Sequence, residues 1–365
     1  MNLERDALKL TNDIRTAEPE LGTMSEIDQQ AVKEIREAPD AVRRQAQLIA
    51  KPAAALLARL ACRTPDVVVT CARGSSAHAA TFGKHLIERH LGIACAAAAP
   101  NIASVYHVPL RLKDQLFLAI SQSGRSDDLI ESAAAARKTG ALTVAIVNET
   151  DSPLAAACEF VLPMAAGSER SVAATKTFVA ALAALLRLTA EWSADTELKT
   201  ALDRLPDRLA AAAELDWGEA TGALWQATSL VTIGRGPTLA IAREAALKFK
   251  EACNLHAEAF SSAEFMHGPL ALVSEHYPVL MFMPHDEAAE GMRVLAADLR
   301  RKGARVLITE RSAGAGHLPI LPPDHSEADA VCLIQTFYAF IVALAQRRGT
   351  SVDKPRHLRK VTRTQ

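Results

Sequence analysis

The chain reads as an α/β protein, with two duplicated, doubly wound parallel sheets behind an N-terminal helical arm. An internal repeat is the first reason. Val69-Thr-Cys-Ala-Arg73-Gly74 is matched 162 residues later by Val231-Thr-Ile-Gly-Arg235-Gly236, and each is an apolar run ending in a glycine turn. The second reason is that further apolar runs recur after each of these in the same order. Leu116–Ile120 corresponds to Val279–Phe282, Leu142–Val147 to Val306–Thr309, and Phe160–Leu162 to Leu318–Leu321. Continuous apolar strands separated by helix-forming stretches belong to parallel sheets covered on both faces. The third reason is length, since 365 residues suffice for two ordinary α/β domains with real cores.

Taken in order, residues 1–50 are polar and helix-prone, with an acidic-rich run from Glu18 to Glu37. They are expected to form a helical arm rather than a domain. Residues 55–195 make the first doubly wound unit and residues 217–355 the second. Between them, residues 196–216 are charged and Ala-rich, which predicts a helical linker. Residues 356–365 form a basic tail of the kind that ordinarily frays into solvent.

Composition narrows the function. Aromatic residues are only 4% of the chain, so Ala and Leu must fill the cores, which favours helices. A net charge of −1 offers no basic field for nucleic acid, so an anionic ligand has to be held locally. The six cysteines, at positions 62, 71, 95, 158, 253 and 332, show neither C-x-x-C pairs nor metal-ligand spacing. They read as reduced thiols of a cytoplasmic protein, and neither a metal nor an organic cofactor is expected. The charged start, Met1 to Asp6, lacks the apolar segment of a signal peptide. No apolar run reaches membrane-spanning length without a charge, so no membrane partner is expected.

Chemistry-bearing residues concentrate between Lys248 and His267, where two lysines, three carboxylates and two histidines fall within twenty residues. Arg243 to Glu251 has good helix formers and no Gly or Pro, which predicts a helix. Glu244, Lys248 and Glu251 then share one face. Taken alone, that spacing describes a solvated stripe of salt bridges. His267-Gly268-Pro269 cannot continue a helix and marks a turn. Further upstream, Leu118 to Asp128 is an apolar strand running into Ser121-Gln122-Ser123-Gly124, with a helix starting near Ser126. Free N–H groups and three hydroxyls at such a helix start suit a phosphate, although the same pattern also describes a plain N-cap turn. The other polar strand-end segments are Arg73-Gly74-Ser75-Ser76 and Gly167 to Lys176.

These segments together resemble the sugar isomerase (SIS) family. The similarity is to the isomerase half of glucosamine-6-phosphate synthase and to glucosamine-6-phosphate deaminases built on the same fold. It rests on A-L-K-x-K-E, H-A-E-A and H-G-P-L-A-L between Ala246 and Leu272, on S-Q-S-G from Ser121, on E-x-x-V-A-x-T-K from Glu169, and on the tail from Asp353. It covers nearly everything after residue 50 and implies flavodoxin-like units. By resemblance, Gly74, Ser75, Ser76, Ser121, Gln122, Ser123, Ser126, Glu169 and Val172 hold the phosphosugar. His267 opens the sugar ring, Glu251 shuttles a proton between C1 and C2, Lys360 forms an imine with the open-chain ketose, and Lys248 steadies the charge near O1 or Glu251. Four positions depart from the family pattern: Arg125 replaces an acidic residue, Ala174 a serine, His357 an asparagine, and Arg359 stands where alanine can occur.

The implied chemistry is aldose–ketose proton transfer coupled to gain or loss of an amine at C2. The synthase uses an N-terminal cysteine to release ammonia from glutamine. Here the first cysteine is Cys62, behind a helical arm, so the expected reaction is deamination: D-glucosamine 6-phosphate + H2O → D-fructose 6-phosphate + NH3. The neighbouring possibilities are a galactosamine-6-phosphate deaminase/isomerase, a fructosamine-6-phosphate deglycase and an ammonia-dependent synthase. A non-catalytic sugar-phosphate sensor fits less well, because such modules usually carry one unit and a helix-turn-helix. The resemblance also implies a homodimer with shared active sites, His267 reaching the neighbouring subunit's pocket. The Ala/Leu-rich stretch from Phe178 to Leu188 is expected to offer apolar surface to a two-fold partner.

Overall fold

The computed structural model describes residues 28–312 and 314–360. Residues 1–27 of the expected arm and residues 361–365 of the tail lie outside the described residues. The first helix of the described residues, α1 (Gln29–Cys62), runs unbroken for 34 residues. It buries one stripe that includes Ile35, Val42, Ile49, Leu56 and Leu60.

Two five-stranded sheets come after it. The first contains β1 (Val67–Ala72), β2 (Ala94–Ala97), β3 (Leu116–Ser121), β4 (Leu142–Val147) and β5 (Phe160–Pro163) in the spatial order 2-1-3-4-5. The second contains β6 (Ser229–Gly234), β7 (His256–Ser261), β8 (Pro278–Met281), β9 (Arg305–Thr309) and β10 (His317–Leu318) in the same relative order. Every pairing is parallel, and the repeat keeps its register: Val69 pairs with Phe117 and Val231 with Val279. The central strands β3 and β4 are buried along their whole length, as strands covered by helices on both faces must be. The expected strand Leu318–Leu321 is corrected by the structure. Pairing stops at Leu318, because Pro319 has no N–H to give to the ladder.

Helices α2 (Gly74–Leu91), α3 (Asn101–Ser104), α4 (Asp127–Lys138), α5 (Pro153–Ala157) and α6 (Lys176–Trp192) belong to the first unit. Helix α7 (Thr196–Ala213) is capped by Asp195, whose carboxylate accepts the N–H groups of Glu197 and Leu198. It buries Leu198, Leu202, Leu205 and Leu209 against α1 and the last helix. Helices α8 (Gly218–Leu224), α9 (Thr238–Cys253), α10 (Ser262–Met266), α11 (Ala289–Arg301) and α12 (Ser326–Arg347) complete the second unit. The expectation for Phe178 to Leu188 is also corrected. That stretch of α6 is buried within one chain, between α1 and α2, so it offers no apolar face to a partner. By length and composition α12 could cross a membrane, but 89% of its apolar window is buried inside the protein. It is a core helix. Phe337 and Phe340 on it join Trp217, Phe249 and Phe282 in one aromatic cluster, with ring centroids 5.3–6.3 Å apart.

Two features position the site. Helices α2 and α9, each coming after the first strand of its unit, pack on one another across the junction. The segment after α12 is latched to the start of α1. The Asp353 carboxylate accepts the N–H groups of Gln30 (3.2 Å) and Ala31 (2.8 Å). Asp28 in turn accepts the N–H groups of Val352 (2.8 Å) and Asp353 (3.0 Å).

Candidate active site

Two ionic networks gather residues from the ends of the fold. The first lies on α9 where it meets α2. The Lys248 ammonium sits 2.6 Å from Glu251 Oε2 and 3.2 Å from Glu244 Oε1. It also donates to Ser75 Oγ at 3.1 Å. Ser75 donates to Glu244 at 2.9 Å, His78 Nδ1 lies 2.8 Å from the other Glu244 oxygen, and Tyr338 of α12 donates to Glu244 at 3.2 Å. The shared face of Glu244, Lys248 and Glu251 is therefore not a solvated stripe. Glu244 and Lys248 are almost wholly buried, and only Glu251 keeps appreciable exposure, at 22% of its side chain.

Burial alone would raise the Glu244 pKa. The Lys248 charge and the bonds from His78 and Ser75 outweigh it and hold that carboxyl at about 2. Burial likewise works against the Lys248 charge, but Glu244 and Glu251 raise its pKa above the ordinary value. A buried pair of this kind persists only when its remaining polar atoms are satisfied, which is what Ser75, His78 and Tyr338 do. Tyr338 is pushed well above the ordinary phenol range by burial and by the charges of Glu244 and Glu169, so the hydroxyl stays a donor.

The second network ties the tail to the loop after β5. Lys360 Nζ donates to Glu169 Oε2 at 2.8 Å and to the Ser171 carbonyl at 2.7 Å. Glu169 is buried, and it also accepts from the N–H groups of Thr175 (3.0 Å) and Thr177 (3.1 Å) and from the Thr177 hydroxyl (2.7 Å). Burial opposes ionisation of Glu169, yet the Lys360 charge and these bonds leave its pKa lowered. Val172, half-buried on the same loop, donates its N–H to the Asp353 carbonyl at 3.3 Å. Lys176 is buried and paired with Glu37 at 2.6 Å, so it anchors the loop to α1.

The turn after β3 has the geometry of a cradle. Ser121 Oγ accepts the Gly124 N–H at 3.1 Å and Ser123 Oγ accepts the Arg125 N–H at 3.3 Å. Gly124 has φ +62°, and a Cβ there would collide with Ser152. Ser126 is the extended N-cap residue of α4, and its side chain makes no capping bond, so the first N–H groups of α4 and the Ser126 hydroxyl remain available for a ligand. The Gln122 carbonyl accepts from Asn148 at 3.2 Å. Beside this turn Arg73 makes a two-point contact with the buried Asp128, at 2.9 and 2.7 Å. Gly74 (φ +53°) and the half-buried Ser76 complete the turn after β1.

Glu251 also lines a cavity of about 590 Å³, shared with Asn254, Arg348, Thr350, Lys354 and Arg356. His267 joins neither network. It lies exposed on the turn after α10, and its ring has no hydrogen bond among the described residues. One chain thus brings together Ser75, Lys248 and Glu251 in one network and Glu169 with Lys360 in the other, but not His267. Glu244, His78, Tyr338 and the Arg73–Asp128 pair were not singled out as site residues by sequence reasoning. Glu244 had a signal in its spacing to Lys248, whereas Tyr338 sits in an apolar helix with no local signal.

Comparison with known proteins places the chain. Residues 63–190 and 223–315 match the SIS domain. The glutamine–fructose-6-phosphate aminotransferase (isomerizing) of Symbiobacterium thermophilum is 33% identical over 313 residues, covering 80% of this chain and 51% of its own length. The Pseudomonas syringae pv. tomato enzyme of the same name is 32% identical over 90% of this chain and 58% of its own length. The chain therefore spans about half the length of the curated relatives it matches. Among solved structures, a Silicibacter pomeroyi DSS-3 protein provisionally named a phosphosugar isomerase aligns with a TM-score of 0.85 at 43% identity, covering 89% of this chain and 99% of its own. The C-terminal domain of glucosamine-fructose-6-phosphate aminotransferase from Francisella tularensis gives 0.80 at 25% identity, with 91% and 100% covered. Glucosamine-6-phosphate deaminase of Thermotoga maritima, at 22% identity and a TM-score of 0.72 over 92% of this chain and 100% of its own, shares the fold. The chain belongs to the SIS domain family and is related to the isomerase part of the fructose-6-phosphate aminotransferases.

Proposed function

We propose that the protein is a glucosamine-6-phosphate deaminase that converts D-glucosamine 6-phosphate and water to D-fructose 6-phosphate and ammonia. The observation that carries this reading is the Glu251 carboxylate. It is held 2.6 Å from a buried ammonium, yet lines an open cavity. Such a group can accept a proton from carbon and return it without leaving its place.

In this reading the phosphate sits on the turn from Ser121 to Ser126, against the first N–H groups of α4. His267 opens the ring. Glu251 takes the C2 proton of the open-chain aldehyde and delivers it to C1 while a proton passes from the amine nitrogen to O1, which turns the aldehyde into a hydroxymethyl group and the C2 amine into an imine. Either water then adds at C2 and expels ammonia directly, or the Lys360 amine adds at C2, expels ammonia and forms an imine that water hydrolyses to the ketone and free Lys360. Lys360 must pass a proton to Glu169 or to solvent before its nitrogen can attack. Lys248 steadies Glu251. All of these steps use side-chain acids, bases and one amine, so the reading calls for no metal or organic cofactor.

One further observation supports a detail of the proposal. His267 is exposed and joins neither ionic network among the described residues, which favours a homodimer in which His267 serves the neighbouring subunit's site. The test is ammonia release from glucosamine 6-phosphate, galactosamine 6-phosphate and fructosamine 6-phosphate. The proposal expects the highest kcat/KM with glucosamine 6-phosphate. Ammonia from none of them overturns the deaminase reading, and a preference for either of the others overturns the substrate.

A further inference from the structure

A second cavity, of about 500 Å³, lies at the junction of the two units and contains none of the residues assigned to the substrate. Its polar lining is Thr70 of β1 and Thr81, Lys84, His85 and Glu88 of α2, facing Arg235, Arg243 and Ser261 of the second unit; His85 lies 3.7 Å from Glu327. Its size falls in the range of small-molecule sites.

Its lysine and arginines outnumber its carboxylates, with Lys84, Arg235 and Arg243 against Glu88 alone. Lys84 lies 3.4 Å from Glu88. Arg243 donates to Thr81 Oγ1 at 3.0 Å. Among the described residues neither Arg235 nor Arg243 has a carboxylate partner. Asp286 lies near Gly236, but it is already engaged by Arg89 and by the Ser326 hydroxyl, both at 3.0 Å.

The duplication makes the imbalance specific. Arg235 is the repeat counterpart of Arg73, each preceding the glycine turn after its unit's first strand. Arg73 is neutralised by Asp128, the second residue of α4. The second residue of α11 is Glu290, which pairs with Arg293 at 3.3 Å instead. The first unit thus satisfies its strand-end arginine internally, and the second leaves it facing a cavity. Two exposed guanidinium groups that line one concave site and lack carboxylate partners suit a planar or tetrahedral oxyanion.

We propose that this cavity is a second binding site, separate from the substrate site, for a small phosphomonoester held by Arg235 and Arg243. The proposal does not depend on the deaminase reading. The test is phenylglyoxal labelling of arginines in the full-length protein, read by peptide mass spectrometry, with inorganic phosphate or fructose 6-phosphate as the probe. At a probe concentration ten times its dissociation constant, Arg235 and Arg243 should label about tenfold more slowly, by mass action. The same protection should persist in Ser123→Ala, whose defect lies at the other site. Unchanged labelling of both arginines with both probes would overturn the proposal. So would equal protection by chloride at matched ionic strength, or loss of protection in Ser123→Ala. A protein that releases no ammonia but shows the protection would refute only the deaminase reading.

Discussion

Replacing Glu244 by Gln removes the charge around which Ser75, His78, Lys248 and Tyr338 are arranged. Two routes give the size of the effect. The Glu244 carboxyl is held at about 2 instead of the ordinary 4.5, and that shift corresponds to about 3 kcal/mol of preference for the charged, folded form. Breaking a buried ion pair on one side costs about 3–5 kcal/mol when the surviving charge is stranded, and the lower end applies here because Glu251 still partners Lys248. Glu244→Gln and Lys248→Met should therefore each lower the unfolding free energy by about 3 kcal/mol. The double variant should cost less than the two losses combined, with a coupling energy of about 2 kcal/mol. Urea unfolding of the four proteins at neutral pH measures this, provided the slope m is the same for all. Single losses below about 1 kcal/mol, or simple additivity, would show that the pair is not the buried, mutually dependent unit described here. The pH dependence gives a second arm. Because the folded pKa is depressed, the Glu244 contribution is complete above about pH 4.5 and is lost as the pH falls towards 2. Glu244→Gln should flatten acid unfolding in that window and nowhere else.

The site itself can be probed in three other ways. Ser123→Ala should raise KM about tenfold with little change in kcat, since it removes one hydroxyl from the phosphate turn; an unchanged KM would place the phosphate elsewhere. Truncation after Arg356 removes Lys360 but keeps the buried Val352 and Pro355 and the Asp353 latch on α1. It should abolish turnover while both sheets still fold, with a loss of about 3 kcal/mol because the buried Glu169 loses its Lys360 partner; Lys360→Met in the full-length chain should cost as much, and a truncation loss well beyond that of Lys360→Met would make the tail structural. Mixing inactive Glu251→Gln and His267→Ala proteins should restore part of the activity after subunit exchange, whereas a monomer fully active at assay dilution would rule out shared sites.

Much of the fold was legible because strands of covered parallel sheets are continuous apolar runs, and because the chain repeats itself. The glycine turns at Gly74 and Gly236 set the register of that repeat. The misreadings have physical causes. The apolar content of Leu318–Leu321 suggested a strand, but pairing also needs an N–H that Pro319 lacks. Helix α6 looked like partner surface because composition does not say which apolar face is already covered. The α9 carboxylates and Lys248 had the spacing of a solvated stripe, and only the packing of α2 and α12 over them makes them a buried network. The Lys360–Glu169 pair joins residues 191 positions apart, so no local pattern could propose it. The resemblance marked both positions without showing that they touch.

The most direct test of the central claim is to incubate the full-length protein with glucosamine 6-phosphate in D2O and to measure ammonia, fructose 6-phosphate and deuterium at C1 together. The account predicts ammonia and fructose 6-phosphate in a one-to-one ratio. It also predicts that C1 acquires hydrogen through Glu251, and that Glu251→Gln yields neither product while still binding the sugar phosphate. Fructose 6-phosphate formed by Glu251→Gln at the wild-type rate would contradict it, as would a wild-type protein that binds the amino sugar phosphate and releases no ammonia.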